Sequence, residues 1–384
     1  MRTSNVRTPT ADHIGTIFVA IELSQRNWLV TMHSPDRDKI SRHKLDGGDY
    51  AGLLALIERV RARAHRALGA EPGVVSCYEA GYDGFWLHRL LTAAGITNLV
   101  FDPASIAVEQ RARRAKTDRI DGELLLRTLL AHWRGEPRVV RVVRVPTPEQ
   151  EDARRATREH DRLIKEQTAH SNRIKALLRL LGMAAGNPRR RDWTAWLEQQ
   201  RDNQGQPVPP HLVAELKREH ARLMLVREQL RDLERAMPAA QVSPAAAEMA
   251  RRSAHLQRLK SLGPVFAPSL TNEVFYKDFR NRREVAAYIG LAPSPWQSGG
   301  TDREQGISKA GNPRARQKAI ELAWLWVEHQ PDSALTQWFR RRTLGASKRL
   351  RRIAIVALAR KLMVALWRYL TTGLIPDGAV LKAA

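Results

Sequence analysis

Apolar positions in the first third of the chain come in short blocks. TIFVAIELS (16–24), NWLVTMHS (27–34) and KISRHKLD (39–46) are three β-like runs with tight polar connections, the pattern of a meander. DYAGLLALIERVRARAHRAL (49–68) switches to helical spacing, with Leu53, Leu54, Ile57, Val60 and Ala64 as its stripe. GVVSCYE (73–79) predicts a fourth strand. The stretch from about Gly84 predicts a helix, with Phe85, Leu87, Leu90 and Leu91 near helical spacing. ITNLVFD (96–102) predicts a fifth strand and AKTDRIDGELLLRTLLAHW (115–133) a further helix. The order β-β-β-α-β-α-β-α builds a mixed sheet, part antiparallel meander and part parallel strands joined by crossover helices.

A different texture begins near residue 148. Positions 153, 156, 160, 163, 167, 171, 174, 177 and 181 step by three and four, mostly apolar from Leu163 onward. After a break rich in Pro, Gly and Asn, a second helix is expected from about Leu212 to Ala236, with Leu216, Leu223 and Leu230 seven apart. Two such helices fit an antiparallel hairpin or coiled coil, and equally an amphipathic pair in a globular bundle. AMPAAQVSPAAAEM (236–249) reads as a linker. The last third, from about Ala254, reads as mainly helical apart from one turn-rich loop, LAPSPWQSGGTDREQGISKAGNPRA (291–315). Near the C-terminus Ile353, Val356, Ala357, Arg360 and Met363 mark the expected inner face of a helix with a basic N-terminal flank.

Composition narrows the partners. Among 384 residues, 64 Lys and Arg stand against 40 Asp and Glu, a net charge of +24. Such a surface attracts polyanions, nucleic acid first. No apolar run is long enough to span a bilayer and the N-terminal MRTSNVRTPTADH lacks the apolar segment of a signal peptide, so residues 1–13 are expected to be a disordered tail and the protein cytoplasmic. The single cysteine, Cys77, cannot form an internal disulfide or a cysteine-based zinc site.

Four carboxylates carry the candidate chemistry. Glu22 ends the first strand and Glu79 the fourth. If those strands are parallel neighbours, a spacing of about 4.8 Å lets both carboxylates reach one cation. Asp118 and Asp121 in KTDRID are three apart and share a helix face. An oxygen-only pocket of this kind suits Mg²⁺, with Mn²⁺ able to substitute, and supports phosphoryl transfer. In the turn-rich loop, Ser298 precedes Gly299 and Gly300, which allow close approach of a large substrate. A serine there can attack a phosphodiester. Lys309, Arg314 and Arg316 are candidate phosphate ligands beside it, and Lys116 is another next to the acidic pair.

These motifs together resemble one family. IGLAP, SGG and ISKAGNPRAR look like the C-terminal domain of the DEDD transposases of bridge-RNA-guided insertion sequences, a group that includes the Piv-type DNA invertases. AIELS, YEAGYDGFWL and KTDRIDGELL look like that family's RuvC-like motifs. The resemblance implies an α/β RNase H/RuvC-like catalytic domain (14–147), a helical coiled-coil middle (148–250) and a mainly α transposase domain (251–384). It implies Glu22, Glu79, Asp118 and Asp121 as metal ligands and Ser298 as a nucleophile that links covalently to DNA. It also implies donor and target DNA, an element-encoded bridge RNA, and dimers assembling to a tetramer in which the serine of one subunit completes the acidic site of another. Two departures stand out. Glu22 occupies a position that is usually Asp, and in RLKSLGPVFAPSL Ser261 stands where a first glycine is common. Competing readings are a RuvC-like nuclease using metal-activated water and a non-catalytic nucleic-acid binder. The clusters NPRRRDW and RRRTLGASKRLRR are expected to hold phosphates, and Trp193 and Trp196 to pack in a core rather than stack on RNA.

Overall fold

The computed structural model describes residues 15–106, 118–236, 244–298 and 301–382. The 1–13 tail, Lys116 and Gly299 lie outside the described residues. The chain forms two compact units, Met1–Val145 and Pro146–Ala384.

The first unit is a mixed α/β domain. Strands β1 (Thr16–Glu22), β2 (Asn27–Ser34), β3 (Arg37–Asp46), β4 (Gly73–Glu79) and β5 (Thr97–Phe101) form one sheet in the order β3-β2-β1-β4-β5. β1 pairs antiparallel with β2 and parallel with β4, and β4 pairs parallel with β5. The meander and the parallel half therefore meet at β1. Helices α1 (Tyr50–Leu68) and α2 (Trp86–Ala93) accompany one face and α3 (Asp118–Trp133) the other. Coverage of both faces explains why β1 is buried from Thr16 to Ile21 without alternation. Ile17, Val19, Ile21, Val74 and Tyr78 pack with Leu53, Ile57, Leu87 and Leu91 on the first face. Phe18, Ala20, Val75 and Cys77 pack with Leu125, Leu126 and Leu129 of α3 on the second.

The second unit is mainly helical. α4 (Pro148–Arg179) and α6 (Pro210–Ala236) flank the short α5 (Trp193–Glu198). His160 meets Glu234 while His170 meets Glu219, so α4 and α6 run antiparallel. Leu163 packs with Val226 and Leu230, and Ile174 and Leu178 with Leu216 and Leu223. In the first turns of α4 the buried positions are Arg154 and Thr157 rather than the expected 153 and 156. Trp193 is buried, donates its indole N–H to the Ala185 carbonyl and stacks on His220, so it is a core residue.

Beyond this pair come α7 (Pro244–Gln257), α8 (Phe266–Leu270), a π-helical turn (Thr271–Phe275), α9 (Arg282–Tyr288), a hairpin of β6 (Pro293–Ser298) and β7 (Thr301–Ile307), α10 (Pro313–His329), α11 (Ala334–Thr343) and α12 (Lys348–Thr372). Three expectations change here. The second half of the expected linker is α7, because an Ala-rich segment opened by proline is a good helix start. The turn-rich loop is a β-hairpin. The inner face of α12 is Ala354, Ile355, Leu358, Ala359, Leu362, Met363, Leu366 and Tyr369, with Ile353 exposed.

Ser261 adopts φ 85°, a left-handed conformation in which a side chain costs about 1–2 kcal/mol. Its hydroxyl is also buried without a hydrogen-bond partner. Glycine relieves both, less the roughly 0.5–1 kcal/mol that its extra freedom costs in the unfolded chain. Ser261→Gly is therefore expected to raise the melting temperature of this unit by about 2–4 °C in a thermal scan; a fall would show that the hydroxyl has a stabilising role.

Candidate active site

The register of β1 and β4 sets the geometry. Ile21 lies opposite Tyr78, so Glu22 and Glu79 occupy the next row, at the C-terminal ends of adjacent parallel strands. Side chains alternate along a strand. Glu22 thus follows Phe18 and Ala20, and Glu79 follows Val75 and Cys77, all on the α3 side. Burial pushes the Cys77 thiol well up, and the Glu79 charge on the same side of β4 adds to it. Like charges in one row repel each other, and a cation between them reverses that term.

The first turns of α3 lie over this corner. A Cβ on Gly122 would stand 2.6 Å from the Thr31 hydroxyl and 3.3 Å from a Leu29 methyl. Leu29 is the residue of β2 registered opposite Glu22, and Thr31 is opposite Ala20. Only glycine lets the helix sit this low on the sheet. The Leu125 carbonyl lies 3.9 Å from the Cys77 sulfur, and Trp133 packs edge-on against Phe18 at 6.2 Å. The helix therefore lies over β2, β1 and β4, with Asp121 directly before the Gly122 contact. Asp121 is half-buried and Glu79 exposed, so solvent and a substrate can reach this end of the sheet. Arg42 of β3 pairs with Glu123, one residue past Gly122, and fixes the other side of the helix.

Two devices hold the strand ends. The Tyr78 hydroxyl donates to the Gly84 carbonyl at 3.1 Å, which anchors the loop after Glu79. The Ala80 amide donates to the Phe101 carbonyl at 2.9 Å, which extends the β4–β5 ladder past the site. The donor set is all carboxylate, the chemistry that binds Mg²⁺. Among the described residues no three His, Cys, Asp or Glu side chains close on one point. Asp118 opens α3, one turn before Asp121, and its side chain is outside the described set.

The serine motif sits in the second unit. Ser298 ends β6 and pairs with Thr301 of β7, so a connection of two residues, Gly299 and Gly300, separates the strands. Ser298 therefore stands at the tip of a ribbon. At the ribbon's base, Lys309 has φ 56° and is exposed, and Arg314 is exposed at the start of α10. Arg316 instead donates to the Lys309 carbonyl at 2.9 Å, bracing the turn between β7 and α10.

One polar cluster under this turn was not found from sequence. Glu273 is buried in the π-helical turn. Arg158 of α4 donates to both its oxygens, at 2.6 and 3.2 Å. The Asn312 amide donates to Glu273 Oε2 at 3.0 Å, while the Asn312 carbonyl oxygen caps α10 by accepting from Arg314 and Ala315. Tyr288 donates to the Glu273 carbonyl at 3.0 Å, and Arg154 donates to the Asn272 carbonyl at 2.9 Å. Burial pushes the Glu273 carboxyl up, but the Arg158 and Asn312 contacts more than reverse this and leave it below its usual value. The available signal was an acid inside the otherwise uncharged FAPSLTNEVF (266–275).

Known proteins resemble both units. A model described as Transposase IS116/IS110/IS902 family matches residues 253–338, and a transposase model of the DEDD IS110 type matches residues 19–183. The chain is 48% identical to the protein named as transposase y4rJ of Sinorhizobium fredii, with 97% of each chain covered. It is 27% identical to that organism's y4qE, also named as a transposase, over 80% of this chain and 71% of the relative. It is 25% identical to the transposase for insertion sequence element IS1111A of Coxiella burnetii, over 85% of this chain and 86% of the relative. No helix among the described residues is long and apolar enough to cross a membrane. Matched in both units and at nearly full length, the chain belongs to the IS116/IS110/IS902 family of insertion-sequence transposases.

Proposed function

We propose that this transposase cuts and rejoins DNA under the guidance of an element-encoded bridge RNA, using a RuvC-like acidic site and Ser298 as nucleophile. The observation that supports this most is the β1–β4 register, which sets Glu22 and Glu79 in one row on the face that α3 covers, and the sequence of that helix begins with Asp118 and Asp121. These four carboxylates would hold Mg²⁺, or Mn²⁺ in its place; the bound ion lowers the cost of charge on attacking and leaving oxygens. Glu22 is one methylene longer than the aspartate usual in the family this chain resembles.

The remaining chemistry belongs to the chain's own groups. The Ser298 hydroxyl loses its proton as its oxygen bonds to phosphorus. One ester bond from that phosphorus to deoxyribose breaks, and the departing sugar oxygen takes up a proton. The reverse step joins a new DNA end and frees the serine. Ser298 is the last residue of β6 before the connection to β7, and the end of a two-stranded ribbon suits attack on a duplex-sized substrate. Lys309 and Arg314 at the ribbon's base are placed to neutralise phosphates, and Lys116 and Gly299 belong to the same nucleic-acid-contacting set. Dimers assembling to a tetramer bring the serine of one subunit to the acidic site of another.

The test expresses the protein in cells with the non-coding flanks of its own locus and amplifies recombined junctions. Wild type is expected to give junctions and a protein–DNA adduct that survives denaturation. Ser298→Ala is expected to give neither. Junctions from Ser298→Ala at the wild-type level would remove the serine from the chemistry and leave water as the nucleophile.

A further inference from the structure

The first six residues of α12, Lys348 to Ile353, are all exposed, and burial starts only at Ala354. At 1.5 Å per residue they project about 9 Å beyond the core. The four residues Leu344–Ser347 join them to α11, whose last turn is Arg340, Arg341 and Arg342. Gly345 takes φ 67° in that turn, and the Ser347 hydroxyl caps α12 by accepting from Leu350. From Ser333 to Pro376 the chain carries ten Lys and Arg and no Asp or Glu. Among the described residues, Arg340, Arg341, Lys348, Arg349, Arg351 and Arg352 make no ion pair.

A helix end that buries none of its side chains and neutralises none of its charges gains nothing for the fold. Like charges so close together repel each other. We infer that this projecting end of α12, with the last turn of α11, is a duplex-DNA contact that enters the major groove. The inference rests on the reading of the chain as a DNA-acting transposase, and on no part of its catalytic mechanism.

Dimensions decide the kind of duplex. The B-form major groove is about 12 Å wide and 8.5 Å deep, and a helix with side chains is about 10–12 Å across. A projection of about 9 Å reaches the groove floor. The A-form major groove of RNA is too deep and narrow to admit it. At about 100° per residue, Lys348, Arg349, Arg351 and Arg352 cover an arc of about 160°. That arc faces two phosphate walls at once. Leu350 and Ile353 fill only about 60°, narrower than the stripe of roughly 100° or more that an apolar helix face needs, so a bilayer surface is the poorer match. Two helices joined by a four-residue turn with glycine, the second entering the groove by its N-terminal residues, is a known geometry for reading DNA.

The experiment measures binding alone, in EDTA, so a protein with no recombinase activity still gives a readout. Full-length wild type and the triple variant Arg341→Gln, Arg349→Gln, Arg352→Gln are titrated by fluorescence anisotropy across a salt series. The probes are a short mixed-sequence DNA duplex, an RNA duplex of the same length and an anionic phosphatidylserine vesicle. The triple variant is expected to bind the DNA duplex at least about tenfold more weakly, with a salt slope shallower by about 2.7. Its RNA affinity is expected to change by less. Unchanged DNA affinity, an equal loss on RNA, or a loss confined to vesicles would each overturn the assignment. The single variants Arg349→Gln and Arg352→Gln, expected to flatten the slope by about 0.9 each, keep the test open should the triple variant melt. Binding in EDTA involves no cleavage or rejoining, so the outcome of this titration does not depend on which group is the nucleophile, which separates this inference from the proposed mechanism.

Discussion

Asp121→Asn is expected to lower recombination by about 10²-fold or more while leaving the first unit folded. The change is isosteric and removes one charge. Asp121 sits directly before Gly122, where α3 rests on Thr31 and Leu29, and the row of Glu22 lies alongside. A carboxylate there adds attraction for a cation that an amide supplies only weakly. The second readout is independent of activity. Mg²⁺ is expected to raise the melting temperature of the wild type and to raise that of Asp121→Asn much less, because an ion that binds the folded state stabilises it. Glu123→Gln is the control. It is two residues along the same helix but pairs with Arg42 of β3, and an ion pair of this exposure contributes about 0–1 kcal/mol. Glu123→Gln is expected to keep both activity and the Mg²⁺ response. Loss of activity in both variants alike would point to the helix rather than the carboxylate; full activity in Asp121→Asn would remove it from the site.

The first unit was legible because its signals are local. Continuous apolar runs mark strands covered on both faces, and the runs ending in Glu22 and Glu79 lie beside one another as parallel neighbours. The low seat of α3 on the sheet was not legible, since it depends on Gly122 meeting Thr31. The serine segment reads as a loop because Pro293 and Pro295 argue against a strand, yet a two-stranded ribbon has only edges and tolerates both. The inner face of α12 was misread through Ile353, an apolar residue on the part of the helix that projects beyond the core. The start of α4 was misplaced by one position for a different reason. Periodicity counts apolar residues, and the buried groups there are Arg154, whose acceptor is the Asn272 carbonyl more than a hundred residues away, and Thr157, which donates to the Arg154 carbonyl. Polar burial of this kind is decided by tertiary partners, so it leaves no period in the sequence.

That polar burial carries the second large effect. Glu273→Ala is expected to destabilise the second unit by about 3 kcal/mol, the low end for breaking a buried ion pair. Glu273 is buried, whereas Arg158 keeps 39% of its side chain in solvent and can turn outward when its partner goes. That escape is why the low end applies. The Asn312 amide loses its acceptor as well, and Asn312 is the cap of α10, so the damage spreads to the turn that carries Lys309 and the base of the ribbon. A unit of this size is expected to melt about 6–12 °C lower. Glu273→Gln retains an acceptor for both partners but not the charge, and is expected to fall between the two. The sign of the pH effect follows from the lowered carboxyl. Its contribution is present above the ordinary value of 4.5 and is lost as pH falls through the lower folded value. The stability gap between wild type and Glu273→Gln, measured by denaturant titration, is therefore expected to be widest at neutral pH and to close in acid. A gap that widened in acid would mean that Glu273 is protonated in the native state, and that Arg158 holds the ribbon's base by some other contact.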